Sequence, residues 1–320
     1  MENEKVLVTG GGGFIGSALV RALLSDGKEV IVYDSFVYGD RSNIAEIEKD
    51  VTVVVGDILS WKLENALKDN VQKVYHLAAE PYIPYSYVAP ERFIEVNVLG
   101  AFKVLMACKL FGVEKVIHFS SSEIYGSAQH IPMDENHPTL PHSTYAVTKL
   151  AADRLCYTLA HEQKIPVIIL RPFNCYGPRE SQPYVIPEII RQLVRSPKLT
   201  LGNLEARRDF TYVDDSVRAA IMVMEADLPA GMVVNVGSNI SYSVRELVQI
   251  IAGILGCEDV KIELDARRFR PLEVNLLQCD YSKLRSLTGW EPRISIKEGL
   301  RLTIDWYKNA GCWPWEQRIH

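Results

Sequence analysis

Thr9-Gly10-Gly11-Gly12-Gly13-Phe14-Ile15-Gly16 is the stretch whose reading decides the fold. The apolar run Val6-Leu7-Val8 precedes it and an apolar-periodic stretch from Phe14 to Leu24 follows, so the glycines lie between a predicted strand and a predicted helix. Gly10, Gly13 and Gly16 recur every three residues. In that setting glycine permits a tight turn, admits a pyrophosphate to the backbone N–H groups at Phe14 and Ile15, and allows close packing of helix on strand. The next apolar run, Val30-Ile31-Val32-Tyr33, ends at Asp34, eighteen residues past Gly16. An acid there accepts from a ribose 2′-hydroxyl and repels a 2′-phosphate, which predicts NAD rather than NADP. Arg41, close by in sequence, is the cation that argues the other way.

Working outward, four more apolar runs follow: Val51 to Val55, Val74 to Leu77, Val116 to Phe119 and Val167 to Leu170. Helical patterns separate them, notably Phe93 to Phe111 and Tyr145 to His161. Continuous β-branched runs between helices predict strands buried on both faces, hence an α/β fold with a Rossmann-like, doubly wound parallel sheet. Asp57-Ile58, after the third run, is placed to meet an adenine. Leu77-Ala78-Ala79, after the fourth, is small enough to let a cofactor lie against backbone. His76 reads as a core histidine whose ring is hydrogen-bonded. Beyond Arg171-Pro172 the prolines cluster and strands thin out. We expect an NAD-binding unit over 1–172, joined by about 211–236, and a smaller, discontinuous, mainly substrate-binding lobe over 173–320. Val233 to Val236 reads as one more sheet strand. Val244 to Leu255 reads as a helix with Ser243 as N-cap and Glu246 completing a capping box.

Composition excludes several classes. The chain has 320 residues, 48% hydrophobic and 23% charged, which is globular rather than disordered or fibrous. A formal charge of -5 argues against nucleic acid as the main partner. No apolar run approaches the roughly twenty residues of a membrane helix. The start, Met1 to Lys5, carries no signal-peptide pattern, so a cytoplasmic protein is expected. Six cysteines without a CxxC pair predict buried thiols and neither disulfides nor a metal site. The segment Gly311-Cys312-Trp313-Pro314-Trp315 is expected to pack against the body.

Two segments carry chemistry. Tyr145-Ala146-Val147-Thr148-Lys149 places a phenol and an ammonium four apart on one helix face. An ammonium beside a phenol favours tyrosinate, and lowering a tyrosine pKa by about three units needs about 4 kcal/mol. Ser120-Ser121-Ser122-Glu123 ends the fifth run, at the carboxyl edge where open α/β sheets bind ligands. The expectation is that Ser121 or Ser122 bonds both Tyr145 and a substrate oxygen, while Glu123 moves a second proton.

With these motifs the chain resembles the extended short-chain dehydrogenase/reductase family, the NAD-dependent sugar-nucleotide epimerases and dehydratases. The likeness runs from about Lys5 to about Tyr307. It includes the glycine loop, His76 to Ala79, the Ser86…Pro90…Asn97 spacing, Tyr145/Lys149, Arg171 to Pro178, Arg208 to Val213, and Arg270-Pro271 followed by Asp280, Lys283 and Gly289-Trp290. The resemblance implies bound NAD, a nucleoside diphosphate sugar substrate, and a homodimer through a four-helix bundle supplied by the helices Phe93–Phe111 and Tyr145–His161. It implies that Ser86, Asn174, Val185, Arg208 and Arg270 hold the substrate. Tyr184 to Pro187 would cover the base or sugar, and Asn97 would serve mainly structure. Among members, the UDP-N-acetylglucosamine 4,6-dehydratases of the legionaminic and bacillosamine type are most similar in Ile83 to Tyr87, Ser122 to Gly126 and Arg171 to Arg179. Glu80-Pro81 departs from the small apolar residues expected there. The implied reaction is oxidation at carbon 4 with Tyr145 as base, then loss of water across carbons 5 and 6 with Glu123 taking the carbon 5 proton. The alternatives are a 4-epimerase, a UDP-glucuronate decarboxylase, a 5,6-dehydratase and, remotely, a non-catalytic NAD-sensing protein.

Overall fold

The computed structural model describes residues 4–180 and 182–310. The first half runs β1 (Lys5–Thr9), α1 (Phe14–Ser25), β2 (Glu29–Asp34), β3 (Thr52–Val55), α2 (Lys62–Leu67), β4 (Lys73–His76), α3 (Pro90–Phe93), α4 (Ala101–Leu110), β5 (Lys115–Phe119), α5 (Thr144–Glu162) and β6 (Val167–Pro172). The second half runs β7 (Asn174–Tyr176), α6 (Val185–Arg195), β8 (Lys198–Leu201), β9 (Arg207–Tyr212), α7 (Val213–Glu225), β10 (Val233–Val236), β11 (Ser241–Ser243), α8 (Val244–Leu255), β12 (Lys261–Leu264), α9 (Ser282–Thr288) and α10 (Ile296–Ala310). The tail expected to pack against the body lies outside the described residues.

Seven parallel strands form the central sheet in the order β10-β6-β5-β4-β1-β2-β3. The chain winds from β1 through β2 to β3, then returns to the other side of β1 as β4. That reversal leaves a crevice outside the carboxyl ends of β1 and β4, where ligands bind in such sheets. Both faces are covered by apolar packing: one cluster includes Val8, Leu19 and Val32, the other Leu7, Ile31 and Val104. Smaller sheets, β11-β9-β7 and β12-β8, lie in the second half.

Local chemistry explains the boundaries. Ser143 caps α5 by accepting from the Ala146 N–H at 3.1 Å. Ser243 and Glu246 form the expected capping box of α8, which ends at Gly256 in a left-handed conformation. The helix expected over 93–111 is one helical rod with a difference: its middle, Ile94–Gly100, widens to a π-helix. Such widenings are rare and frequent at functional sites. Here it accompanies Asn97, whose amide oxygen accepts from the Glu80 N–H at 2.8 Å and whose amide nitrogen donates to Thr148 Oγ1 at 3.0 Å. That use of the amide agrees with the structural role read for Asn97.

Candidate active site

The glycine loop is shaped by contact. Gly10 has φ +75°, and a Cβ there would stand 2.8 Å from the Ala78 nitrogen; a Cβ on Gly16 would stand 2.0 Å from the Gly10 carbonyl oxygen. The turn therefore presses α1 onto the loop and the loop onto the end of β4. The N-cap residue of α1, Gly13, supplies no side-chain cap, and Gly13, Phe14, Ile15 and Gly16 line a cleft of about 1000 Å³. Uncapped N–H groups at the start of a twelve-residue helix are an anion seat.

Asp34 ends β2 inside this cleft. Its carboxylate accepts from the Gly12 N–H at 2.9 Å and the Phe36 N–H at 2.7 Å. Burial raises its pKa, and the backbone donors oppose that shift. Arg41 does not reach it: that guanidinium pairs with Glu48 at 3.0 Å. Asp57, Ile58, Leu77, Ala78 and Ala79 also line the cleft. The Asp57 carboxylate accepts from the Leu59 N–H at 2.8 Å and pairs with Arg92 at 2.9 Å. Arg92 in turn reaches Glu80 at 3.0 Å. This Asp57–Arg92–Glu80 bridge went unforeseen, and it accounts for the acid at position 80. Burial first, then the hydrogen bond to Glu80, push the Tyr38 phenol pKa up.

The reacting end is held by a buried polar lattice. Arg171 binds Asp153 of α5 through two hydrogen bonds, 2.8 and 3.0 Å, and donates to the Tyr125 hydroxyl at 2.9 Å. Tyr125 donates to Asn235 of β10 at 2.7 Å. The lattice fixes the short helical turn Ser122–Tyr125 against α5, and so fixes Ser121 and Glu123 relative to Tyr145 and Lys149. Gly126 closes the turn at φ +67°, where a Cβ would lie 2.0 Å from the Leu140 carbonyl oxygen. Ser121 Oγ accepts from the Glu123 N–H at 3.2 Å, and Ser121 stands near enough to the Tyr145 phenol to pull its pKa down. Phe93 packs edge-on to the Tyr145 ring at 6.4 Å.

The expected lowering of the Tyr145 pKa is corrected. The protein groups alone push it up to about 12: burial dominates, Ser121 opposes, and the Glu123 charge adds to the rise. Lys149 points its ammonium at the Phe119 carbonyl oxygen and is itself pushed down to about 8 by burial, against the pull of Cys156 and Asp153. Desolvation is the leading cause at both groups. His76 is satisfied as read: its ring bonds Thr9 Oγ1 at 2.8 Å, and burial first, then the Lys149 charge, hold its pKa near 3.

Ser122, Asn174, Val185, Arg208 and Arg270 all line the cleft. The Asn174 side-chain oxygen is buried without a partner among the described residues. Arg208 is anchored from below, because neighbouring Asp209 accepts from the Ser238 and Asn239 N–H groups at 2.7 and 2.8 Å and the Cys279 N–H at 3.0 Å. Tyr184 and Val185 open α6 over the cleft, and Tyr184 donates to the Pro81 carbonyl at 3.1 Å. Ser86 is the exception. It is buried outside the cleft lining, and its hydroxyl donates to the Ile83 carbonyl at 2.7 Å, closing its own turn. Besides Arg92, the reading missed Glu180, a buried acid of the cleft wall with a carboxylate oxygen lacking a partner among the described residues; its place beside the Tyr176-Gly177-Pro178 motif was the available signal. Among the described residues no cluster of His, Cys, Asp and Glu could hold a metal, and no helix is long and apolar enough to cross a membrane.

The glycine loop at the sheet's switch point, the Ser-Tyr-Lys-Glu cluster and two arginines line one cleft, an arrangement suited to an enzyme that works with a dinucleotide. Residues 7–303 match the family described as GDP-mannose 4,6 dehydratase. A dTDP-glucose 4,6-dehydratase from Streptomyces venezuelae, crystallised with NAD, is 31% identical with a TM-score of 0.90, over 97% of this chain and 98% of that one. A UDP-N-acetylglucosamine 4-epimerase from Methanobrevibacter ruminantium is 32% identical with a TM-score of 0.88, over 97% of this chain and 100% of that one. A UDP-N-acetyl-alpha-D-glucosaminuronate decarboxylase from Bacillus cytotoxicus is 32% identical over 318 residues, 95% of this chain and 98% of its own. The chain belongs to this family, the NAD-dependent sugar-nucleotide dehydratases, epimerases and decarboxylases of the extended short-chain dehydrogenase/reductase class.

Proposed function

We propose that the protein is a nucleotide-sugar 4,6-dehydratase acting on a UDP-hexose such as UDP-N-acetylglucosamine. The observation that carries this reading is Glu123, a carboxylate in the wall of the cleft that Ser121 and Tyr145 also line. Removal of the 4-hydroxyl proton needs only the phenol; removal of a carbon 5 proton needs a second base, and Glu123 is the carboxylate at hand.

NAD fits the cradle: the uncapped start of α1 seats the pyrophosphate, Asp34 takes the ribose, and Ala78 and Ala79 leave space against backbone. When bound, it supplies a hydride acceptor for carbon 4. Ser121 orients the 4-hydroxyl and the Tyr145 phenol. The Lys149 ammonium adds positive charge beneath them. Glu123 takes the carbon 5 proton once a 4-ketone has acidified it and passes a proton to the departing 6-hydroxyl; return of the hydride to carbon 6 and of a solvent-derived proton to carbon 5 leaves a 4-keto-6-deoxy sugar lighter by one water. Arg208 and Arg270 bind the diphosphate as planar donors, and Asn174 offers its unpartnered oxygen. Residues 1–172 with about 211–236 form the cofactor unit and 173–320 mainly the substrate lobe. Exposed Ile94, Leu99, Phe102 and Leu110, with Val147 and Tyr157 of α5, support a homodimer through these helices. The setting is cytoplasmic.

A second reading, 4-epimerisation, draws on the ion pairs that hold Glu123, to Arg270 at 3.1 Å and Arg208 at 3.8 Å. If they persisted with substrate bound, only Tyr145 and Ser121 would remain to act. Incubation with a panel of sugar nucleotides, followed by weighing of the products, decides. A product lighter by one water supports the dehydratase; an isomer of unchanged mass supports the epimerase; loss of carbon dioxide supports a decarboxylase. Calorimetry should give tighter binding of NAD than of NADP.

A further inference from the structure

Glu123 is paired with the cations assigned to the diphosphate. Its carboxylate lies 3.1 and 3.3 Å from Arg270 Nη1 and 3.8 Å from Arg208 Nε. The pairing joins residues 147 apart in sequence, and the Glu123 side chain is only 8% exposed. The two arginines are not equivalent. Arg208 Nη1 is anchored by the Val274 and Arg207 carbonyls at 2.7 and 2.9 Å. Arg270 is anchored through its backbone N–H, which donates to Glu273 at 2.8 Å, while its guanidinium reaches across to Glu123. Tyr145 and Tyr87 complete the charged and titratable groups around Glu123, and Glu273 faces the same arginines.

We propose that Arg270 is a substrate-sensing positioning residue: it holds Glu123 until the substrate's diphosphate takes over the guanidinium and frees the carboxylate to act. This rests on the nucleotide-sugar reading above. A guanidinium forms its strongest contacts as a two-pronged donor to one anion, and a diphosphate offers more charge and more acceptor oxygens than a carboxylate. With both oxygens engaged by Arg270 Nη1, Glu123 is less free to meet a carbon-bound proton. A ligand that binds the arginine displaces Glu123, so diphosphate binding and release of the base become one event. The linkage is reciprocal: the Glu123 charge must weaken nucleotide binding by as much as the nucleotide loosens Glu123.

Calorimetric titration of the NAD-loaded protein with UDP, repeated with dTDP and GDP, tests this without turnover. Glu123→Gln should bind the nucleotide about tenfold more tightly than wild type, the size of a typical coupling between sites. In the Arg270→Gln background the same change should alter affinity by less than about twofold. Unchanged or weaker binding by Glu123→Gln overturns the proposal. An equal gain in both backgrounds also overturns it, since the effect would then be a general field and not competition for Arg270. Failure of all three nucleotides to bind any form would reject the nucleotide-sugar reading and the proposal with it. Unfolding curves of the variants establish that each is folded.

Discussion

The ammonium of Lys149, one turn beyond Tyr145 on α5, donates to the backbone carbonyl of Phe119 at the end of β5. Burial this deep penalises the charged form, and the Lys149 pKa falls from 10.5 to about 8, with burial the chief cause and Cys156 and Asp153 opposing.

The sign of the resulting pH dependence follows. Between about pH 8 and 10.5 the unfolded chain holds this proton and the folded one does not, so the group's penalty on stability is full below pH 8 and relieved as pH rises. Lys149→Met carries no such penalty. Relative to the variant, wild type should gain about 3 kcal/mol between about pH 7 and pH 11 in denaturant unfolding. A constant difference across that range would show that Lys149 is solvated in the folded protein.

Two histidines give the acid counterpart. His76 and His118, on β4 and β5 with ring centroids 5.3 Å apart, are held neutral by burial and then by the Lys149 charge, His76 near 3 and His118 well below its usual value. Both ring nitrogens of His118 lack partners among the described residues. The unfolded chain takes up protons below about pH 6.5 that the folded one refuses, so stability should fall as pH drops from there toward 3. His118→Phe keeps the ring volume and removes one of these sites. It should unfold at lower pH than wild type and lose nothing at neutral pH. Equal acid midpoints would mean that the imidazole gains a proton while folded.

What the sequence made legible was what depends on near neighbours and on repetition. The strand–glycine–helix unit, the runs from Val30 to Tyr33 and Val116 to Phe119, and the Ser243–Glu246 cap each follow from local periodicity or a short hydrogen bond. What escaped depends on where distant chains meet. Arg92 is an unremarkable cation in sequence, and only the fold brings it between Asp57 and Glu80. Ser86 matched a family spacing, yet a carbonyl three residues back uses its hydroxyl. The desolvation that governs Tyr145 and Lys149 depends on burial depth, which a YxxxK pattern does not encode.

Tyr145→Phe removes the proton acceptor and keeps the ring that packs against Phe93. Losing a well-placed general base should cut turnover about a hundredfold to ten-thousandfold. The diphosphate arginines lie on other elements, so the Kd for UDP-sugar should stay within about threefold of wild type. Near-normal turnover would transfer the role of base to another group.

Glu123→Gln decides between elimination and epimerisation. The amide keeps the size and one acceptor oxygen but cannot take a proton from carbon 5. The Ser121–Tyr145 contact, and with it oxidation at carbon 4, should survive in part, while loss of water should not. The variant should therefore accumulate reduced nicotinamide, seen by its absorbance, with little 4-keto-6-deoxy product. In deuterated water the wild type should place one deuterium at carbon 5, because the proton removed there is lost and carbon 5 is reprotonated from solvent. An epimerase would incorporate none, since its hydride leaves and rejoins carbon 4 without disturbing carbon 5. Wild-type turnover of UDP-N-acetylglucosamine to an isomer of the same mass, free of deuterium and unaffected by Glu123→Gln, would reject elimination and leave the chemistry to Tyr145, Ser121 and Lys149.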